Sequence, residues 1–245
     1  MKKPVVVLLF VLFAGMLYWW WVPPTVKGPL SDQEFEYIIR VSGNGGSSDV
    51  LPMIIALHGQ GDTPDNFFDT LLKDFDYPAR FIVVKGPIGF PGASLSGRGW
   101  PVDTKGLSEC GDALADAVPV LLERFPTEGR PILLGFSAGA YIAYYLAAFH
   151  SDQFSYIFPV AGRLSGDLMT TEMLSDDNGA RVIAFHGKRD RVVAFNKGTA
   201  AVQKLRQRGL NVKLVTFDGG HLDIFLSANH LLLNHLGDAV KGLGP

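Results

Sequence analysis

Short apolar runs punctuate the chain at residues 53–57, 81–84, 132–136, 156–160, 182–185 and 212–217. Runs this short and without alternation are the pattern of strands buried on both faces. Between most of them lie stretches of helical periodicity: residues 65–75, 107–125, 138–149, 195–208 and 223–240. The first follows Thr63-Pro64, a capping residue and then a proline suited to the first helical turn. Residues 34–41 alternate imperfectly and lead into Gly43-Asn44-Gly45-Gly46, which is turn chemistry, so they predict an edge strand of a hairpin. Strands that alternate with helices predict an α/β fold: a mainly parallel sheet with helices on both faces and function at the strands' carboxyl ends.

The first residues follow a different pattern. After Met1-Lys2-Lys3, residues 4–22 carry no charge, and at about 1.5 Å of rise per residue they almost span a hydrocarbon core. The tract ends in Tyr18-Trp19-Trp20-Trp21, amphipathic rings that favour the headgroup level, while Lys2 and Lys3 favour the cytoplasmic side. This predicts a transmembrane signal anchor with the rest of the chain on the extracytoplasmic, periplasmic side. A cleaved signal peptide, leaving a secreted or periplasmic protein, is the alternative, but Phe13-Ala14-Gly15 offers no Ala-x-Ala-like site. Prolines at 23, 24 and 29 then stop the helix and predict a stiff spacer. The expected division is an anchor and spacer over residues 1–29 and one globular domain over 30–245.

Composition narrows the function. Lys and Arg number 22 against 24 Asp and Glu, so no basic surplus points to nucleic acid. The single cysteine, Cys110, excludes an intrachain disulfide and a cysteine metal cluster, and its expected role is core packing.

Gly135-Phe136-Ser137-Ala138-Gly139 has the G-x-S-x-G form, and its context makes it informative. It follows the buried run at 132–134 and opens the helical stretch after it, which is the strand–turn–helix setting of a nucleophile elbow. The turn is sharp, and residues without a Cβ let strand and helix approach on either side of the serine. A serine hydroxyl needs a base, and that imidazole needs a carboxylate to fix its tautomer. In the expected chain order both follow the serine, each just beyond a strand. Asp190 closes His186-Gly187-Lys188-Arg189-Asp190 after the strand at 182–185, and His221 closes Gly219-Gly220-His221 after the strand at 212–217. Ser137, Asp190 and His221 are therefore expected at one sheet edge.

Other candidates have simpler roles. His150, His230 and His235 fall in or at the ends of helices, where surface or packing roles are expected. His58 and His186 precede glycines at strand ends and are expected to fix loops by hydrogen bonds. Asp218 and Asp223 flank His221 closely enough to cap a turn or helix. The oxyanion hole is expected from the backbone amides of Ala138 and of Gln60, which sits between glycines in Leu57-His58-Gly59-Gln60-Gly61-Asp62. Residues 86–104, rich in Gly and Pro, carry Phe90 and Trp100. They are long enough for a lid or acyl-pocket wall, or for a surface loop that packs its own aromatics.

Together His58-Gly59-Gln60-Gly61-Asp62, the serine pentapeptide, His186-Gly187-Lys188-Arg189-Asp190 and Gly220-His221 resemble the phospholipase/carboxylesterase family, which includes the acyl-protein thioesterases. The resemblance covers about residues 50–240, and Arg98-Gly99-Trp100-Pro101-Val102-Asp103 is similar to the tryptophan-bearing segment such enzymes carry before the nucleophile strand. It implies an α/β-hydrolase fold, oxyanion donors at Gln60 and Ala138, and cofactor-free, metal-free hydrolysis of small-molecule esters or thioesters. Ala138 stands where thioesterases of the group usually have glutamine, and an amino-terminal anchor is not usual among them, so the resemblance implies ester cleavage broadly rather than a cytosolic depalmitoylase. A peptidase of the same fold and a membrane-tethered, non-catalytic binding protein are the alternatives, because a triad does not name its leaving group.

Overall fold

Eight strands form one sheet in the order β1-β2-β4-β3-β7-β8-β9-β10, comprising β1 (Thr25–Lys27), β2 (Glu34–Ser42), β3 (Met53–Leu57), β4 (Ala79–Val84), β7 (Ile132–Phe136), β8 (Tyr156–Val160), β9 (Arg181–Gly187) and β10 (Val212–Phe217). They are seen in a computed structural model that describes residues 23–90, 96–164, 166, 168 and 179–243. From β4 to β10 all neighbours are parallel, whereas β1 and β2 run antiparallel to theirs. A separate small ribbon pairs β5 (Ile88–Gly89) with β6 (Arg98–Gly99).

The apolar runs become strands buried on both faces, and their alternation sorts the core into two layers. Ile55 and Leu57 of β3 face a layer that contains residues of α2 (Thr104–Arg124), α3 (Ala138–Phe149) and α4 (Phe195–Gln207). Ile54 and Ala56 face the opposite layer, filled by α1 (Pro64–Phe67), the π-helical turn Phe68–Leu72 and α5 (Asn229–Lys241). Each sheet face thus buries its side chains under helices, the arrangement that a parallel sheet requires. Caps start two of the helices: Thr63 Oγ1 accepts from Asn66 N at 3.2 Å, and Asp103 Oδ1 accepts from Gly106 N at 2.9 Å.

Several elements differ from expectation. The strand at 34–41 is not the edge, because β1 pairs outside it, with Tyr37 N donating to Pro24 O at 3.0 Å and Val26 buried. Part of the proline-rich spacer is therefore built into the sheet. The helix expected over 65–75 changes to a π-helical turn after Phe67. The helix expected from 223 divides into a 3-10 turn, Asp223–Phe225, and α5, because Leu226 leaves the helical region at φ −116° and ψ −95°. The membrane helix expected over residues 4–22 lies outside the described residues. Among the described residues no helix is long and apolar enough to cross a membrane.

One buried cation ties the loops at the strands' amino ends. Arg80 is 1% exposed and donates to the carbonyl oxygens of Pro126 (2.7 Å), Ser47 (2.9 Å) and Asp49 (2.9 Å), with its guanidinium over the Phe125 ring. A planar fork reaches the three carbonyls from two separate nitrogens, whereas an ammonium offers its three donors from a single atom. Arg80→Ala leaves those carbonyls unpaired and is expected to lower stability by about 2–4 kcal/mol in urea unfolding, with Arg80→Lys recovering only part of it. A loss under about 1 kcal/mol for the alanine variant would show that these loops hold without the clamp.

Candidate active site

Ser137 sits between β7 and α3 at φ 52° and ψ −113°, a conformation that residues with a Cβ rarely adopt. The turn is possible because its neighbours are glycines at crowded positions. A Cβ on Gly139 would lie 2.4 Å from Leu57 O, and one on Gly135 would lie 2.3 Å from Gly139 O. Ser137 N donates to Val160 O at 2.9 Å, which pins the turn to the end of β8.

The loop after β10 brings His221 to the serine, with Nε2 3.0 Å from Ser137 Oγ and Nδ1 2.7 Å from Asp190 Oδ2. A carboxylate only accepts, so Nδ1 carries the proton, and Nε2 presents its lone pair to the serine hydroxyl. Asp190, in the loop after β9, has no exposed side-chain surface. Its Oδ1 accepts from the amides of Val192 (2.8 Å) and Val193 (2.9 Å). The structure thus brings the three expected residues into one hydrogen-bonded chain. This arrangement can draw the proton from a serine hydroxyl as that oxygen attacks, and can stabilise the imidazolium that results.

The flanking acids take other parts. Asp223 Oδ2 accepts from Gly220 N at 2.6 Å and closes the turn before His221, and Asp218 faces Arg189 at 3.5 Å near the surface. Among the histidines, His150 lies 2.7 Å from Asp112, His230 is exposed and His235 packs against Phe185.

Gln60 occupies the loop after β3, beside Ser137 in the lining of the same groove. Among the described residues neither the Gln60 nor the Ala138 backbone amide has an acceptor, so both remain available. Ala138 N is also a free donor in the first turn of α3, where the helix dipole favours negative charge. Behind the loop, buried His58 donates from Nδ1 to Gly59 O at 2.7 Å and accepts at Nε2 from Gly86 N at 3.0 Å. Burial holds its pKa below the usual histidine value, which suits this neutral tautomer.

Phe90 and Trp100 do not line the groove, contrary to expectation. Trp100 is fully buried, donating from Nε1 to His58 O at 2.8 Å and from its backbone N to Gln60 Oε1 at 3.1 Å. It packs beneath the Gln60 loop instead of forming a pocket wall. Phe90 belongs to the β5–β6 ribbon, where its N donates to Gly97 O at 3.2 Å.

The groove itself measures about 790 Å³ and has two unlike walls. Phe136, Val192, Leu222, Phe225 and Leu226 make the apolar one, with Val192, Leu222 and Leu226 largely exposed at its mouth. Asp62, Asn66, Asp69, Thr70 and Lys73 make the polar one, along α1 and the π-helical turn. Sequence reasoning missed both walls. Only the proximity of Val192 to Asp190 and of Leu222 to His221 signalled any of them.

Solved structures share this architecture at low identity. A carboxylesterase from Bacillus cereus superposes with a TM-score of 0.67 at 15% identity, over 84% of this chain and 94% of that one. A carboxylesterase from Mesorhizobium loti gives a TM-score of 0.67 at 19%, over 86% and 98%. Acyl-protein thioesterase 2 from Zea mays gives 0.65 at 20%, over 83% and 99%. At these identities the likeness is one of fold. Comparison with curated proteins gives no match. The phospholipase/carboxylesterase family model, however, matches residues 45–225, which include the serine elbow and the Asp190 and His221 loops. The chain is a hydrolase of the phospholipase/carboxylesterase family within the α/β-hydrolase fold.

Proposed function

We propose that this protein is a serine esterase that cleaves carboxylic esters and thioesters through an acyl-enzyme on Ser137. The observation that carries this reading is the unbroken hydrogen-bond chain from Ser137 Oγ through His221 to the buried carboxylate of Asp190. Ser137 Oγ bonds to the acyl carbon while its proton passes to His221 Nε2. The carbonyl electrons move to oxygen, and the amides of Gln60 and Ala138 receive the charge. The intermediate collapses as His221 returns the proton to the departing alcohol or thiol. Water then gives a proton to His221 and attacks the acyl-serine; the acyl–oxygen bond breaks as His221 returns that proton to Ser137 Oγ, which releases the acid and restores the serine. The groove's apolar and polar walls suit an ester with one part of each character.

We also infer that residues 4–22 hold the domain at a membrane, on the side away from Lys2 and Lys3. The chain is already paired to the sheet at Pro24, two residues beyond the tract, so the domain would sit close to the bilayer surface.

Ser137→Ala is expected to abolish turnover of short p-nitrophenyl esters and labelling by a fluorophosphonate probe while leaving the thermal transition in place. Retained turnover would remove the assignment. Asp190→Asn should lower kcat on the order of 10⁴-fold, because it favours the wrong His221 tautomer. For the location, protease added to spheroplasts, with the outer envelope opened and the cytoplasmic membrane intact, should digest the domain, and protection there that is lost on lysis would reverse the orientation.

A further inference from the structure

Behind Asp190 lies a second histidine that the proton chain does not use. His186, in β9, has a side chain only 1% exposed. Its Nε2 lies 2.8 Å from Val193 O and 3.4 Å from Asp190 Oδ2. A carbonyl and a carboxylate only accept, so Nε2 carries the proton and Nδ1 carries a lone pair. That Nδ1 is buried and without a partner among the described residues, against Gly198 of α4, where a Cβ would stand 2.2 Å away. An unpaired buried nitrogen is a cost that a packing residue such as leucine would not incur. The bond from Nε2 to Val193 O is what the imidazole gains in return.

The contacts close a circuit. His186 Nε2 holds Val193 O, Val193 N donates to Asp190 Oδ1, and Asp190 Oδ2 returns to within 3.4 Å of His186 Nε2. Oδ2 is also the atom that accepts from His221 Nδ1. We infer that His186 is a positioning residue that fixes the rotation of the Asp190 carboxylate through Val193, with its own Nε2 facing Oδ2 at 3.4 Å, so that Oδ2 is aimed at His221. The inference rests on the serine-esterase reading above. It predicts that the donor at the Nε2 position matters more than the bulk or polarity of the side chain, because small misplacement of a catalytic constellation is felt in the chemical step more than in binding.

The test compares two amides in the full chain. His186→Gln can place its Nε2 donor near Val193 O, whereas the shorter His186→Asn cannot. Kinetics on an ester substrate are expected to give a kcat about 10- to 100-fold lower for His186→Asn with KM little changed, and His186→Gln should recover most of that loss. Should the asparagine chain fail to fold, as judged by thermal denaturation, His186→Met takes its place, being of similar bulk and lacking the donor. In proton NMR, the far-downfield resonance of the His221–Asp190 proton should shift or broaden in the donor-less variant and return in the glutamine one. Equal kcat in the amide pair, or a loss carried by KM alone, would overturn the role of His186. That result is separable from failure of the esterase reading, in which Ser137→Ala would keep its turnover whatever stands at 186.

Discussion

A serine held at φ 52° and ψ −113° is strained by an amount on the order of 1–3 kcal/mol, and the surrounding packing must hold it there. Much of the fold can be traced to that requirement. Ser137 N is taken by Val160 O, and Ser137 O accepts from Ala140 N and Tyr141 N, so both ends of the peptide are tied before the side chain acts. Gly139 lets α3 lie directly on the carboxyl end of β3, whose loop carries Gln60. Most of α3 is buried between the sheet and its neighbouring helices. Strain at the nucleophile is thus opposed by a helix buried along most of its length, and the same geometry leaves the Ala138 amide without an acceptor among the described residues.

The loops around the serine are held by histidines at the ends of strands. His58-Gly59 directly follows β3, and His186-Gly187 ends β9. In each case a fully buried imidazole bonds to a backbone carbonyl of the loop that follows, Gly59 for one and Val193 for the other. Burial lowers the pKa of both below the usual histidine value, which keeps them neutral and suited to donating at one nitrogen. They differ at the second nitrogen. That of His58 accepts from Gly86 N, whereas that of His186 has no partner among the described residues.

The sequence made the framework legible because its signals are local. Strands buried on both faces appear as apolar runs, and the elbow appears as a strand, a glycine-flanked serine and a helix in immediate succession. The order of serine, acid and histidine, each just past a strand, then pointed to Asp190, while Asp218 and Asp223 lie so close to His221 that turn or helix capping is their simpler role. Other features depend on distant partners. β1 is three residues long, too short for any periodicity, and it exists because it pairs with β2. Trp100 looks alike in a pocket wall or in a core. Its direction is set by the carbonyl of His58, 42 residues away, which its own neighbours do not encode. The polar groove wall rests on a change from α to π winding after Phe67, for which the helical pattern carries no sign.

One spacing problem remains in bringing the three side chains together. β10 stands three places from β7, so at about 4.8 Å per strand the ends that carry His221 and Ser137 are about 14 Å apart in an untwisted sheet. No imidazole spans that distance, and the backbone has to carry it inward. The loop after β10 folds back over the end of β9, with Arg189 N donating to Gly219 O at 2.9 Å and Lys188 N to Phe217 O at 3.0 Å. Gly187 permits the crossing, since a Cβ there would stand 2.4 Å from Gly219 O. The loops of the acid and the histidine are therefore one hydrogen-bonded unit, and the Asp190–His221 contact is set by backbone before either side chain adds its own bond. Only the last step, from His221 to Ser137, joins separately anchored parts, and that is the contact a proton must cross.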